Sequence, residues 1–112
     1  MERVTLKVEE LEPYDTDTYH DPDLVQRVKD HGWEGIPPLP VIEIPEHLRA
    51  GKKYTFSDGH HRYDAATRAG LVDIPCILYG PSDDISEIVR ICGDDDVLEY
   101  DLIIKEIEDR PK

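Results

Sequence analysis

The sequence has little cysteine, no long apolar run and a shortage of basic residues. Its two cysteines, Cys76 and Cys92, both lie in apolar stretches, which predicts two buried, reduced thiols rather than the disulfide framework of a small secreted domain. No segment approaches the ~18 apolar residues of a membrane span, and the charged start is unlike a signal peptide. We therefore expect a cytoplasmic protein with no membrane partner.

Acidic residues outnumber basic residues by 26 to 13, which gives a formal net charge of −13. Proteins that bind DNA or RNA need a basic face that displaces counterions from the phosphates. The field of this chain instead repels nucleic acids and anionic membranes over most of its surface. The composition argues against nucleic acid as a partner of this chain alone, and it leaves room for a small, local phosphate site.

The length of 112 residues suits one domain with one core. We find no internal repeat or low-complexity tract. The sequence predicts a single domain over 1–112, with a core over about 4–80 and an acidic C-terminal extension over 81–112.

Short strand patterns alternate with helix patterns along the chain. Strands are predicted at 4–8, 41–44, 54–56 and 74–79. Helices are predicted between the cap Asp21 and Gly32, from Gly59 to Ala69 with Asp58 as cap, and after the cap Ser82. The tail beyond residue 96 fits both a helix and a strand, and its alternating apolar residues favour a strand. The fold class is therefore α/β (α+β), a mixed, short-stranded sheet packed with about three helices.

The most informative segment is Asp58-Gly59-His60-His61-Arg62, at the predicted junction of a strand and a helix. The first N–H groups of a helix and its dipole attract anions. Gly59 lets a ligand approach the backbone, and Arg62 can clamp a phosphate with two parallel hydrogen bonds. The histidines can donate to phosphate oxygens or bind a metal. A plainer interpretation also fits, in which Asp58 only caps the helix and both histidines are solvated.

The same segment carries a resemblance to a known family. The residues run Asp58-Gly59-His60-His61-Arg62-Tyr63-Asp64-Ala65-Ala66, then Ala69-Gly70-Leu71, then Ile74-Pro75-Cys76-Ile77. In this order they resemble the ParB/sulfiredoxin superfamily, which includes the ParB-like nuclease domains, over about residues 4–80. The Asp-Gly-His-His-Arg form is most similar to the free-serine-kinase-like branch.

The resemblance implies a nucleotide at the glycine-led turn: CTP as in partition proteins, ATP as in sulfiredoxins, or ADP as in the serine kinases. Gly59 and Arg62 match the core of the family motif, and His61 takes the position of the sulfiredoxin histidine. His60 takes the position of the sulfiredoxin catalytic cysteine, so sulfinic-acid reduction is not expected. The sequence after residue 80 resembles no helix-turn-helix, which speaks against centromere binding.

Combining the residues with the resemblance gives a set of expected roles. The nucleotide is expected to contact Gly59, His60, His61 and Arg62. If the protein is an enzyme, phosphoryl transfer is the expected reaction, with His61, Asp58 and Glu34 as catalytic residues. Mg²⁺ would offset the ligand's charge, with Asp58 and His60 contributing. The alternatives are a metal-dependent nuclease and a non-catalytic binding or regulatory module. A protein partner or a homodimer also stays open.

Overall fold

The computed structural model describes residues 1–14, 20–94 and 96–110. Within these ranges the chain forms five strands and four α-helices. The strands are β1 (Glu2–Lys7), β2 (Leu11–Pro13), β3 (Leu39–Glu43), β4 (Tyr54–Phe56) and β5 (Asp73–Leu78). The helices are α1 (Pro22–His31), α2 (His60–Ala69), α3 (Ile85–Cys92) and α4 (Tyr100–Glu108). None of the helices in the described part of the chain has the length and apolar character of a membrane span.

The five strands form one mixed sheet in the order β1-β5-β3-β4-β2. The central pair, β5 and β3, is parallel, and so is the pair of β4 with β2. The two other neighbouring pairs, β1 with β5 and β3 with β4, are antiparallel. The predicted mixed α/β fold with a short-stranded sheet is confirmed.

The sheet is covered by helices on both faces. Leu39 and Val41 of β3 pack with Phe56 of β4 and Ala66 of α2 in one apolar cluster, whereas Ile42 packs with Ile88 of α3 in another. Successive residues of a strand point to opposite faces, so these clusters lie on opposite sides of the sheet. All the residues named here are essentially inaccessible to solvent. The middle of α2 thereby packs against β3 and β4.

Local capping signals explain the ends of α1. The Asp21 carboxylate accepts hydrogen bonds from the amides of Asp23 (3.1 Å) and Leu24 (3.2 Å), and Pro22 follows it in the first turn. Gly32 ends the helix with a positive φ of 64°, a conformation that glycine adopts without steric cost. Both ends were predicted from the sequence, and both predictions are confirmed.

Two predictions about the C-terminal third are wrong. The tail forms the helix α4 rather than a strand: Ile103 packs in the apolar cluster that contains Ile88, whereas Leu102 is 53% exposed. A strand would have placed the alternating residues Leu98, Tyr100 and Leu102 on one buried face. The cap of α3 is Asp84 rather than Ser82, since the Asp84 carboxylate accepts from the amide of Ser86 at 2.9 Å. The sheet is accordingly packed with four helices among the described residues, not about three.

The two cysteines are buried and unbonded to each other, as predicted. Each is 1% exposed. Burial raises the pKa of the Cys76 thiol to about 12 and that of the Cys92 thiol to about 11. Both groups therefore stay neutral and unreactive at neutral pH.

Candidate functional site

The candidate site begins where β4 passes into α2. Gly59 is the N-cap of α2, with a left-handed backbone (φ 95°, ψ 21°) and no side-chain cap. The first intrahelical hydrogen bond runs from the amide of Tyr63 to the carbonyl oxygen of Gly59 at 3.0 Å. A Cβ at this position would lie 2.2 Å from Leu39 Cδ1 and 2.9 Å from Arg62 Nη2. Both the conformation and the close packing therefore require glycine.

Asp58 does not cap the helix, which corrects the sequence prediction. Its Oδ1 accepts a hydrogen bond from the amide of Gly59 at 2.8 Å, and its Oδ2 accepts from the amide of Asp96 at 3.0 Å. Because Gly59 itself occupies the N-cap position, the Asp58 carboxylate lies one residue too early to reach the first turn of α2. Asp58 instead ties the start of α2 to the segment that follows α3.

Arg62, which the sequence predicts as a contact of the nucleotide, is buried. The residue is 8% exposed. Its Nη1 donates to the carbonyl oxygens of Pro37 (3.0 Å), Pro38 (2.9 Å) and Cys92 (3.1 Å). Its Nη2 donates to the carboxylate of Asp94. The guanidinium thus joins α2 to the connector before β3, to the end of α3 and to the linker beyond it.

The two histidines of the motif lie in different surroundings. His60 is buried, and its ring centroid lies 5.1 Å from that of Phe56 at an angle of 54°. His61, the next residue, is exposed on the outer side of the first turn. Of the two histidines, His61 is therefore the more accessible to solvent.

These residues surround a cleft of about 430 Å³. Its lining consists of Ser57, Asp58, Gly59, His60, His61, Arg62, Asp94 and Asp96. The structure therefore brings together all five residues of the Asp58–Arg62 motif. It does not bring in Glu34, which is exposed in the turn after α1 and is not part of this lining. Its assignment as a general base stays a prediction.

Sequence reasoning missed the part of the site that comes from the linker between α3 and α4. We call Asp94 together with residues 96–98 the acidic segment. Besides the contacts of Asp94 and Asp96, the amide of Leu98 donates to Ser57 Oγ at 3.0 Å, and its carbonyl oxygen accepts from the Tyr79 hydroxyl at 2.7 Å. Burial raises the pKa of Tyr79, which keeps that hydroxyl a neutral donor. The acidic segment is thus fastened along the cleft at several points.

The cleft is negatively charged overall. Its three carboxylates, Asp58, Asp94 and Asp96, face a single guanidinium, that of Arg62. Across residues 1–14, 20–94 and 96–110, no group of three or more His, Cys, Asp or Glu side chains is arranged to hold a metal ion. The predicted contribution of Asp58 and His60 to a metal site stays a prediction.

The fold of this chain is similar to that of solved structures. The C-terminally truncated chromosome-partitioning protein ParB from Caulobacter crescentus, complexed with CTP-γ-S, is 23% identical with a TM-score of 0.57, over 87% of this chain and 56% of that one. The chain has a ParB/sulfiredoxin-like fold. A free serine kinase in complex with ADP shares this fold at 17% identity and a TM-score of 0.51, over 75% of this chain and 34% of that one.

The sulfiredoxin of Arabidopsis thaliana also matches, at 26% identity and a TM-score of 0.48, over 70% of this chain and 85% of that one. The sequence matches no protein-family model and no curated protein. The ParB/sulfiredoxin-like domain described here spans about half of the ParB chain and a third of the kinase chain. The ParB and serine kinase structures confirm the resemblance noted in the sequence for the fold.

Proposed function

We propose that this domain binds the phosphate groups of a nucleotide in the cleft at the start of α2. The observation that carries the proposal is the N-terminus of α2 itself: it lines the cleft, and its cap is a glycine, which has no side chain of its own to bond the first-turn amides. The first turn of a helix has no intrahelical acceptors for its N–H groups, and the aligned peptides add about half a positive charge at that end. Such an end is a general anion site.

The side chains at this end suit a phosphate. Gly59 allows the tight left-handed turn that places the first amides of α2 at the cleft. His61 is exposed beside it and can donate a hydrogen bond to a phosphate oxygen. Asp58 is held away from the first turn by the amides of Gly59 and Asp96, so its carboxylate does not compete there.

The solved relatives of the fold support a nucleotide as the source of the phosphate. The ParB structure is complexed with CTP-γ-S, and the free serine kinase structure is complexed with ADP. The negative balance of this cleft favours a ligand whose charge is already reduced. We therefore propose a nucleoside di- or triphosphate that enters as its Mg²⁺ complex, in which the metal neutralises part of the phosphate charge.

The arrangement of residues in the cleft supports nucleotide binding more strongly than it supports catalysis of phosphoryl transfer. In phosphoryl transfer, His61 would stabilise charge on the transferred group, and a base would have to lie near the acceptor hydroxyl. Glu34, the base expected from the sequence, lies outside the lining of the cleft. This placement favours a nucleotide-binding module over a kinase.

Calorimetric titration of ATP, ADP and CTP, each with and without Mg²⁺, tests the proposal. We expect binding in the micromolar to millimolar range with Mg²⁺ and weaker binding without it. His61→Ala should weaken binding by about 2- to 10-fold, the value of one neutral hydrogen bond. His31→Ala, at the exposed end of α1, is the matched control and should leave binding unchanged. Absence of binding by all three nucleotides at millimolar concentration would show that the cleft is not a nucleotide site.

A further inference from the structure

The buried ion pair between Arg62 and Asp94 lies at the phosphate-binding end of α2. The Arg62 and Asp94 side chains are only 10% and 13% exposed. Arg62 Nη2, the atom that donates to Asp94, lies 2.9 Å from where a Cβ of Gly59 would be. The Asp94 carboxylate is therefore held close to the N-cap of α2, where the helix attracts an anion.

The two ends of the guanidinium are used differently. Nη1 is occupied by three backbone carbonyls, those of Pro37, Pro38 and Cys92. These acceptors are main-chain atoms of the connector before β3 and of the last residue of α3. Nη2 is held by a carboxylate on the linker between α3 and α4, and that carboxylate also lines the cleft. Of these acceptors, Asp94 is the one that a ligand could replace.

We infer that Asp94 is an internal competitor for the phosphate and sets the affinity of the cleft for its ligand. This inference rests on the proposed function of the same site. A phosphate gains the charge-assisted contact with Arg62 only when the Asp94 carboxylate moves aside. Because Asp94 is part of the chain, its contact with Arg62 carries no cost of association. The apparent affinity for the phosphate ligand is therefore the intrinsic affinity multiplied by the fraction of molecules in which Arg62 is accessible.

The anchoring of the acidic segment determines what else must move. The amides of Asp96 and Leu98 donate to Asp58 Oδ2 and Ser57 Oγ. These two hydrogen bonds hold the segment next to the turn that carries Gly59. Withdrawal of Asp94 from Arg62 strains or opens them, so ligand binding and release of this segment are coupled.

Two isosteric substitutions distinguish competition between Asp94 and the ligand for Arg62 from a general effect of the negative charge of the cleft. Asp94→Asn removes the charge that holds Arg62 Nη2. Asp96→Asn removes the same charge from the same cleft, and the side chain of Asp96 is exposed. With ADP and Mg²⁺ in calorimetric titrations, Asp94→Asn should bind about 10- to 100-fold more tightly than the wild type, the value of a charge-assisted hydrogen bond. Asp96→Asn should gain less than about threefold.

Hydrogen–deuterium exchange of the wild type provides a second readout that needs no folded variant. Saturation with ADP and Mg²⁺ should accelerate exchange at the amides of Asp96 and Leu98, which lose their acceptors. Unchanged or slower exchange there would show that the ligand binds with the segment in place.

The calorimetric outcomes distinguish the two claims. Equal affinities of the wild type and Asp94→Asn, or equal gains in both variants, would overturn the inference and leave the nucleotide site standing. Failure of the wild type and both variants to bind would overturn the proposed function and the inference with it.

Discussion

Replacement of Arg62 by alanine provides the sharpest test of how the site is built. The guanidinium is buried against three backbone carbonyls and the carboxylate of Asp94. Arg62→Ala leaves all four acceptors in place with their donor gone. Removal of one partner of a buried ion pair costs about 3–5 kcal/mol, because the other charge is left uncompensated. That is a large share of the ~5–15 kcal/mol by which a domain is normally stable.

Denaturant unfolding of the wild type and the variant measures this loss. Arg68→Ala is a matched control on the same helix, since Arg68 is half-exposed and bonds Asp64 one turn earlier at 3.0 Å. An exposed pair of this kind contributes about 0–1 kcal/mol. The double variant Arg62→Ala with Asp94→Asn should recover part of the stability, because no charge is then left unpaired. Equal losses in the free energy of unfolding for Arg62→Ala and Arg68→Ala would refute the conclusion that the buried contacts of Arg62 stabilise the fold.

Two further predictions concern the packing around the site. Gly59→Ala should destabilise the protein by about 2 kcal/mol or more, because its Cβ would enter the space of Leu39 at a positive φ. The control Gly70→Ala should cost only about 1 kcal/mol, since Gly70 has a φ of 77° but open surroundings. Equal losses of stability in thermal melts of the two variants would contradict the predicted clash with Leu39. Cys76 and Cys92 should react slowly with a thiol reagent under native conditions, since burial raises their pKa values to about 12 and 11. In the unfolded chain these thiols have the ordinary thiol pKa of 9.0, so the free energy of unfolding should fall as the pH rises from about 9 towards 11. Rapid labelling at neutral pH would contradict the burial of the thiols. The same fall in a variant with both cysteines replaced by alanine would show that the thiols are not its cause.

The sequence was sufficient for elements whose signals are local. Asp21 and Gly32 mark the ends of α1, and Gly70 ends α2 with a φ of 77°. Each signal acts within one helical turn of the residue that carries it. The glycine-led turn after β4 was found for the same reason, and it lines a cleft; its contacts with a ligand stay a prediction.

The burial of Arg62 was not predictable in the same way. Its acceptors lie 24 to 32 residues away along the chain, in the connector before β3 and at the end of α3. No local pattern marks a carbonyl as the acceptor of a distant side chain. The contact of Asp94 was missed because its partner is distant along the chain. In addition, a run of aspartates is typical of a solvated loop.

The C-terminal helix was missed because two periodicities coincide there. Leu98, Tyr100, Leu102 and Ile104 alternate as a strand would, while Val97, Tyr100, Ile104 and Ile107 also fit the spacing of a helix. Packing decides between them: α4 buries Ile103 against the cluster that contains Ile88. The choice depends on a surface formed by other parts of the chain.

Binding of a nucleotide phosphate at the start of α2 can be located residue by residue from backbone amide chemical shifts during titration with ADP and Mg²⁺. We expect the largest shifts on the first turn of α2, from Gly59 to Arg62, and on the acidic segment at Asp94 and residues 96–98. Largest shifts elsewhere would contradict the proposed site, most clearly at a separate cleft of about 680 Å³ beside the end of α4, whose lining includes Arg49 and Arg110.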